Sequence, residues 1–249
     1  MTDLKNYLKN KTYPGRGLVF YKVSDEKLVA AYWIMGRSSN SRNRVFQEIT
    51  DGDYAGLGVR TLAADDALCE DPHLIIYNAS LDVVEKGITI ITNGDQTDTI
   101  YEALNSSDST NEAFQNSLFT RTFEDDAPNF TPRISMMINT RKGGVAMSIL
   151  KCVDPSTQAA SRFFYFYDDV PAGEGRLITT YVDDGNPLPS FDSEPIKITG
   201  DIACINCLQN AIWESLNKDN KISLLCYEFD LKTGKQTRSI MNKYERVSA

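Results

Sequence analysis

Apolar and polar positions recur along this chain with two different periods, and each change of period marks an element. Leu4, Tyr7 and Leu8 stand at helical spacing, which predicts a short amphipathic helix over 2–10 that stops before Pro14. The runs 17–23 (GLVFYKV), 28–35 (LVAAYWIM), 73–79 (HLIIYNA) and 87–92 (GITIIT) are β-branched or aromatic and bounded by Gly, Asp or Asn, as strands are. Residues 97–106 and 110–121 then read as helices, with Thr97 or Asp98 as an N-cap and Ile100 and Leu104 four apart on one face. A second strand series follows at 132–139, 145–152, 162–167 and 176–182. Phe163 to Tyr167 is apolar on both sides, as expected of a strand between two layers. Asp201 to Asn217 carries the strongest helical period, through Ile202, Ile205, Leu208, Ile212 and Leu216. The chain closes on a hairpin, ISLLCYEFDL and QTRSIMNKY, turning at Thr233-Gly234; 51–64 and 105–111 read as loops.

Strands, helices, strands, helix, strands, with no Pro/Ser-rich linker and no repeat, predict one α+β domain over 1–249 built from two packed sheets and flanking helices. A chain of 249 residues buries roughly three-quarters of its unfolded surface and needs no covalent staples. Its five cysteines form no disulfide framework, which points to a reducing cytoplasm. The N-terminus has no signal-peptide core, and no run approaches the roughly 18 apolar residues of a membrane span, so a soluble, unprocessed protein without membrane attachment is expected. With 34 acidic and 26 basic residues, net −8, the chain is a poor partner for nucleic acid. A small phosphorylated ligand stays open, because one arginine pocket can outweigh a repulsive average field.

Against that acidic background, "GRSSNSRNR" at 36–44 places three arginines and three serines directly after an apolar run. Arg37, Arg42 and Arg44, with Ser38 and Asn40 between them, offer many donors; they form either a phosphate or carboxylate site or a solvated loop paired to surface carboxylates. The only histidine, His73, opens a predicted strand without a nucleophile elbow and reads as structural. No stretch has metal-ligand spacing. Cys204-Ile205-Asn206-Cys207 lies within the predicted helix, without the second pair that zinc needs or the helix-terminal placement of a redox motif.

Three further stretches hold polar groups at element ends. Asn93-Gly94-Asp95-Gln96 leads from an apolar strand into a helix that contains Asp98; a turn and a cap account for part of it, leaving Asp95 and Gln96 unexplained. Glu124 to Ser135 brings Arg133 into a strand after two prolines that restrict the backbone. Glu174 sits between glycines, in a setting that suits either a site or a hairpin turn, and Tyr181 follows in "LITTY".

Together "YPGRG", "GRSSNSRNR", "TNGDQTDTIY", "DAPNFTPRIS", "AGEGRLITTY" and "DGNPLPSF" resemble the IMP cyclohydrolase-like family, over about 5–230. The match to the archaeal-type enzymes is confined to the N-terminal Gly-Arg, the arginine-rich strand end, the Asn-Gly…Asp loop and the Thr-Pro-Arg strand. The resemblance implies a four-layer α-β-β-α sandwich like that of N-terminal-nucleophile hydrolases, without the nucleophile: the first sheet strand begins near Gly15-Arg16-Gly17, behind an extra helix. It implies closure of 5-formamidoimidazole-4-carboxamide ribonucleotide to IMP with loss of water, a reaction that requires no metal or cofactor. It also suggests a homo-oligomer. On this reading Arg37, Ser38, Asn40, Arg42, Arg44, Asn93, Gly94, Asp95 and Gln96 bind the purine nucleotide, while Arg16, Asp98, Arg133, Glu174 and Tyr181 stabilise charge or move protons. An amidohydrolase acting on a related precursor and a non-catalytic nucleotide-binding protein are the alternatives.

Overall fold

The computed structural model describes residues 2–247 of the chain, so Met1, Ser248 and Ala249 of the expected 1–249 domain lie outside the described residues. It is mixed α+β. One seven-stranded sheet has the order β1-β12-β11-β2-β3-β13-β14, with β1 Thr2–Asp3, β2 Gly17–Ser24, β3 Lys27–Met35, β11 Glu174–Thr179, β12 Ile196–Thr199, β13 Lys221–Asp230 and β14 Gln236–Asn242. The other has the order β10-β9-β8-β7-β6-β5-β4, with β4 Val45–Glu48, β5 Gly58–Leu62, β6 Asn78–Val83, β7 Ile88–Thr92, β8 Arg133–Asn139, β9 Val145–Asp154 and β10 Ala159–Tyr167. Among the described residues, the pairings between these strands are antiparallel except β1 with β12.

Residue alternation along β3 shows how the layers form. Leu28, Ala30, Tyr32 and Ile34 join a core shared with Ile91, Ile134, Met136 and Met147 of the other sheet. Val29, Ala31, Trp33 and Met35 face the opposite way, against Leu4 and Leu8 of α1 (Leu4–Lys9) and Leu208 and Ile212 of α6 (Ile205–Trp213). With both faces covered, β3 reads as a continuous apolar run rather than an alternating one. The outer face of the second sheet packs Ile88, Ile90 and Leu150 against Ile100 and Leu104 of α4 (Gln96–Asn105) and Phe114 and Leu118 of α5 (Thr110–Phe119).

Several expectations change. Residues 73–79 are not one strand: Asp71 accepts a hydrogen bond from the His73 N–H and Pro72 occupies the first turn of a short helix, α3 (Pro72–Ile75), so β6 starts only at Asn78 and His73 is exposed. The expected loop 51–64 contains β5, and 45–48 is a strand as well; both are short and partly polar, and their neighbours supply the pairing. Phe163 to Tyr167 lies in the edge strand β10, not between layers, leaving Phe163 42% and Phe166 41% exposed. The helix expected over 201–217 is confined to Ile205–Trp213. The α4 helix begins at Gln96, behind Asp95, so neither Thr97 nor Asp98 is its cap. No helix among the described residues is long and apolar enough to cross a membrane.

Candidate functional site

The segments that precede β2 and β4 and that follow β3 and β11 come together at one end of the sheets. Gly17 pairs with both Trp33 and Thr179, which aligns the start of β2 with the ends of β3 and β11. In the other sheet the loop before β8 supplies the facing wall. A cavity of about 280 Å³ results, near the lower end of the roughly 300–1,000 Å³ range of small-molecule pockets. Its charged walls are Arg16, Arg37, Arg44, Glu124 and Asp126.

Gly15 makes the close approach possible. Its φ of +72° favours glycine, and a Cβ there would stand 2.2 Å from the Thr180 Oγ1 and 2.5 Å from the Tyr181 ring. Its carbonyl accepts the Trp33 indole N–H at 3.1 Å, and the next N–H, that of Arg16, donates to the Thr180 Oγ1 at 3.1 Å. Gly15→Ala is expected to cost about 1–3 kcal/mol through strain and overpacking. Thermal unfolding checks this; an unchanged midpoint would mean that the backbone relaxes freely here.

Arg16 is largely buried, its side chain 11% exposed, and donates through Nη1 to both Glu124 oxygens at 3.0 Å. Burial works against its charge, but Glu124 overcomes that and holds the guanidinium well above the ordinary arginine value. Arg44 is the opposite case. It is 4% exposed, yet its Nε and Nη1 are buried without a hydrogen-bond partner, as is the Asn40 Oδ1 beside it in the cavity wall. Burial, and then the Arg16 charge, push Arg44 below its ordinary value. Arg16 and Arg44 thus line one cavity with a single buried carboxylate, Glu124, which is 5% exposed and pairs with Arg16. An unpaired buried guanidinium is costly, and an anion in the cavity would relieve that cost.

A second chain of groups orders the opposite wall. The Asp126 carboxylate accepts from the Thr131 N–H at 2.6 Å and from its hydroxyl. The Thr131 proton being committed there, the Tyr181 hydroxyl donates to the Thr131 oxygen. Burial pushes the Tyr181 phenol far above its ordinary value, so it stays protonated at neutral pH and can donate a hydrogen bond. Tyr13 stacks on Tyr181 at 6.1 Å and carries Arg37 4.9 Å above its ring; Arg37 itself is held by Asp184 and donates to the Gly185 carbonyl at 3.1 Å.

Of the residues singled out in the sequence, Arg16, Arg37, Ser38, Asn40, Arg44 and Tyr181 line the cavity. Asn93, Gly94, Asp95, Gln96 and Arg133 stand behind it. Asn93 donates to Glu124 at 3.4 Å, Gln96 donates to the Asn93 Oδ1 at 3.0 Å, and Arg133 donates to Gln96 at 2.8 Å and to Asp95 at 2.6 Å. Burial raises the Asp95 carboxyl, but Arg121 and Arg133 together hold it below its ordinary value. Gly94 leaves the room this network needs: a Cβ would meet the Arg133 Nη1 at 2.6 Å. Three residues are elsewhere. Arg42 turns to the Gly36 carbonyl and Asn220. Asp98 accepts from Asn78 at 2.8 Å on the far side of α4's first turn, its carboxyl raised by burial. Glu174 pairs with Lys197 at 2.6 Å at the opposite end of β11. Tyr13, Glu124, Asp126 and Thr131 lie in stretches that the sequence marks, yet it gives them no role; the acidic run at 124–126 beside a restricted Pro/Thr/Pro segment was the available signal.

A comparison with curated proteins finds no match. A model of the IMP cyclohydrolase-like protein family matches residues 13–233, a range that contains every residue lining the cavity. The chain therefore belongs to the IMP cyclohydrolase-like family, and the paired arginines, the buried glutamate and the tyrosine lie inside the part of the chain that establishes this.

Proposed function

We propose that this chain closes 5-formamidoimidazole-4-carboxamide ribonucleotide to IMP, releasing water, as a single catalytic domain with the α-β-β-α layering of N-terminal-nucleophile hydrolases. The observation that carries the reading is the unpaired, buried edge of Arg44 in a cavity that also holds the Arg16–Glu124 pair and the protonated Tyr181. Arg44, flanked by Arg37 and Asn40, takes the 5′-phosphate. Arg16 and Tyr181 face the formyl group.

The carboxamide nitrogen attacks the formyl carbon within the same molecule, so holding the substrate folded supplies much of the rate. As the C–N bond forms, the nitrogen gives up a proton and the formyl oxygen gathers negative charge, which the Arg16 guanidinium and the Tyr181 hydroxyl stabilise. Protonation of that oxygen gives a carbinolamine. Its C–O bond then breaks with a second proton on oxygen, water leaves, and loss of the formamido N–H proton completes the ring. The Asp126–Thr131 pair fixes the position of the Tyr181 oxygen, the single phenolic proton turns from Thr131 to the formyl oxygen as charge develops there, and Glu124 keeps Arg16 charged and fixed.

Purified protein incubated with the ribonucleotide, without added metal, is expected to form IMP above the uncatalysed background. Release of formate instead would identify a hydrolase, and saturable binding without product would identify a sensor; either outcome sinks the proposal. Tyr181→Phe is expected to lower kcat about 10²-fold with little change in KM, because the donor acts on charge that develops only in the transition state. Steady-state kinetics check this, and an unaltered kcat would remove Tyr181 from the chemistry.

A further inference from the structure

Neither the cavity nor the packed core explains the arrangement of Cys204 and Cys207. Rather than lying inside a helix, Cys204 is the N-cap of α6, and its sulfur accepts the Cys207 backbone N–H at 3.3 Å. The two sulfurs are 2.8 Å apart, so a small side-chain movement reaches the roughly 2.05 Å of an S–S bond. Both side chains are partly exposed, which a reagent in solution needs; Cys226, by contrast, is buried. The helix N-terminus favours a thiolate at this spot. The Cys207 thiol is held below its ordinary value, first by its hydrogen bond with Cys204 and then by the Ala203 backbone.

We propose that Cys204 and Cys207 form a thiol–disulfide exchange site that reacts with small-molecule disulfides and closes to an intramolecular disulfide. One thiolate of the pair attacks one sulfur of the disulfide, forming a mixed disulfide and releasing one thiolate, which takes a proton from solvent. The other cysteine, on losing its proton, attacks the protein sulfur of the mixed disulfide; the Cys204–Cys207 bond forms and the second small thiol leaves. Two protein thiols are oxidised and one small disulfide is reduced to two thiols, so the exchange balances without another reagent. The α6 helix contributes no residue to the cavity, and the proposal is independent of the reaction catalysed there.

The test equilibrates the reduced full-length protein with mixtures of oxidised and reduced glutathione, quenches with acid and alkylating agent, and maps the peptides by mass. The peptide holding Cys204 and Cys207 is expected to lose the mass of two hydrogens as the mixture becomes oxidising, and to regain it on return to reduced glutathione. Cys204→Ser is expected to leave a persistent glutathione adduct on Cys207, because the resolving sulfur is gone. Cys152, whose thiol burial pushes up, is the internal control. A dithiol that survives fully oxidised glutathione overturns the proposal, and so does a wild-type adduct that never closes.

Discussion

Arg44→Met is expected to make the unliganded protein more stable while destroying its grip on the nucleotide. The two effects have one cause. Arg44 is buried with Nε and Nη1 unpartnered, a second guanidinium is near enough to depress its pKa, and no carboxylate among the described residues forms an ion pair with it. Replacing buried charge by an apolar side chain of similar volume is often stabilising by about 1–4 kcal/mol, which raises Tm by about 2–4 °C per kcal/mol for a chain of this size. Losing one partner of a buried, hydrogen-bonded charge pair costs a ligand about 2–5 kcal/mol, or a factor of roughly 30 to 5,000 in affinity. Thermal unfolding of wild type and variant, each with and without IMP, reads both effects. The wild type should be stabilised by IMP and the variant should not. A destabilised variant that keeps its IMP response would mean that Arg44 serves the fold and the phosphate lies elsewhere.

Glu124→Gln should do the reverse. Glu124 accepts both Arg16 hydrogen bonds, and removing its charge leaves Arg16 and Arg44 buried together with no fully buried carboxylate between them. Breaking a buried pair in this way costs about 3–5 kcal/mol. The urea midpoint should fall with the slope unchanged, and activity should fall with it, because Arg16 is no longer held toward the formyl group. An anionic ligand that binds only the folded state should restore part of the loss by mass action. Combining Glu124→Gln with Arg44→Met should cost less than the sum of the separate effects, since the repulsion that one creates the other removes. Simple additivity would show that Arg44 and Glu124 do not share an electrostatic site.

The sequence by itself determined most of the layering and the neighbourhood of the site. The run 28–35 reads as a strand, 97–106 and 110–121 read as helices flanking two packed sheets, and the arginine-rich stretch at 36–44 reads as either an anion site or a solvated loop. Its motifs also carried the family. What spacing could not reveal was direction. Arg37, Arg42 and Arg44 look equivalent in "GRSSNSRNR", yet the short helix Ser39–Arg42 turns Arg42 back onto Gly36, Asp184 holds Arg37, and only Arg44, just before β4, keeps a buried, unpartnered edge. Glu124 opens a stretch that the sequence marks only for Arg133; the meeting of the two sheets brings it against Arg16, more than a hundred residues away in the chain. Likewise Glu174 and Arg133 looked alike as polar groups at strand starts, and register placed one at the far end of β11 and the other behind the cavity. Local periodicity records which face of an element is apolar. Which polar end meets which depends on long-range pairing, and that alone decided the site.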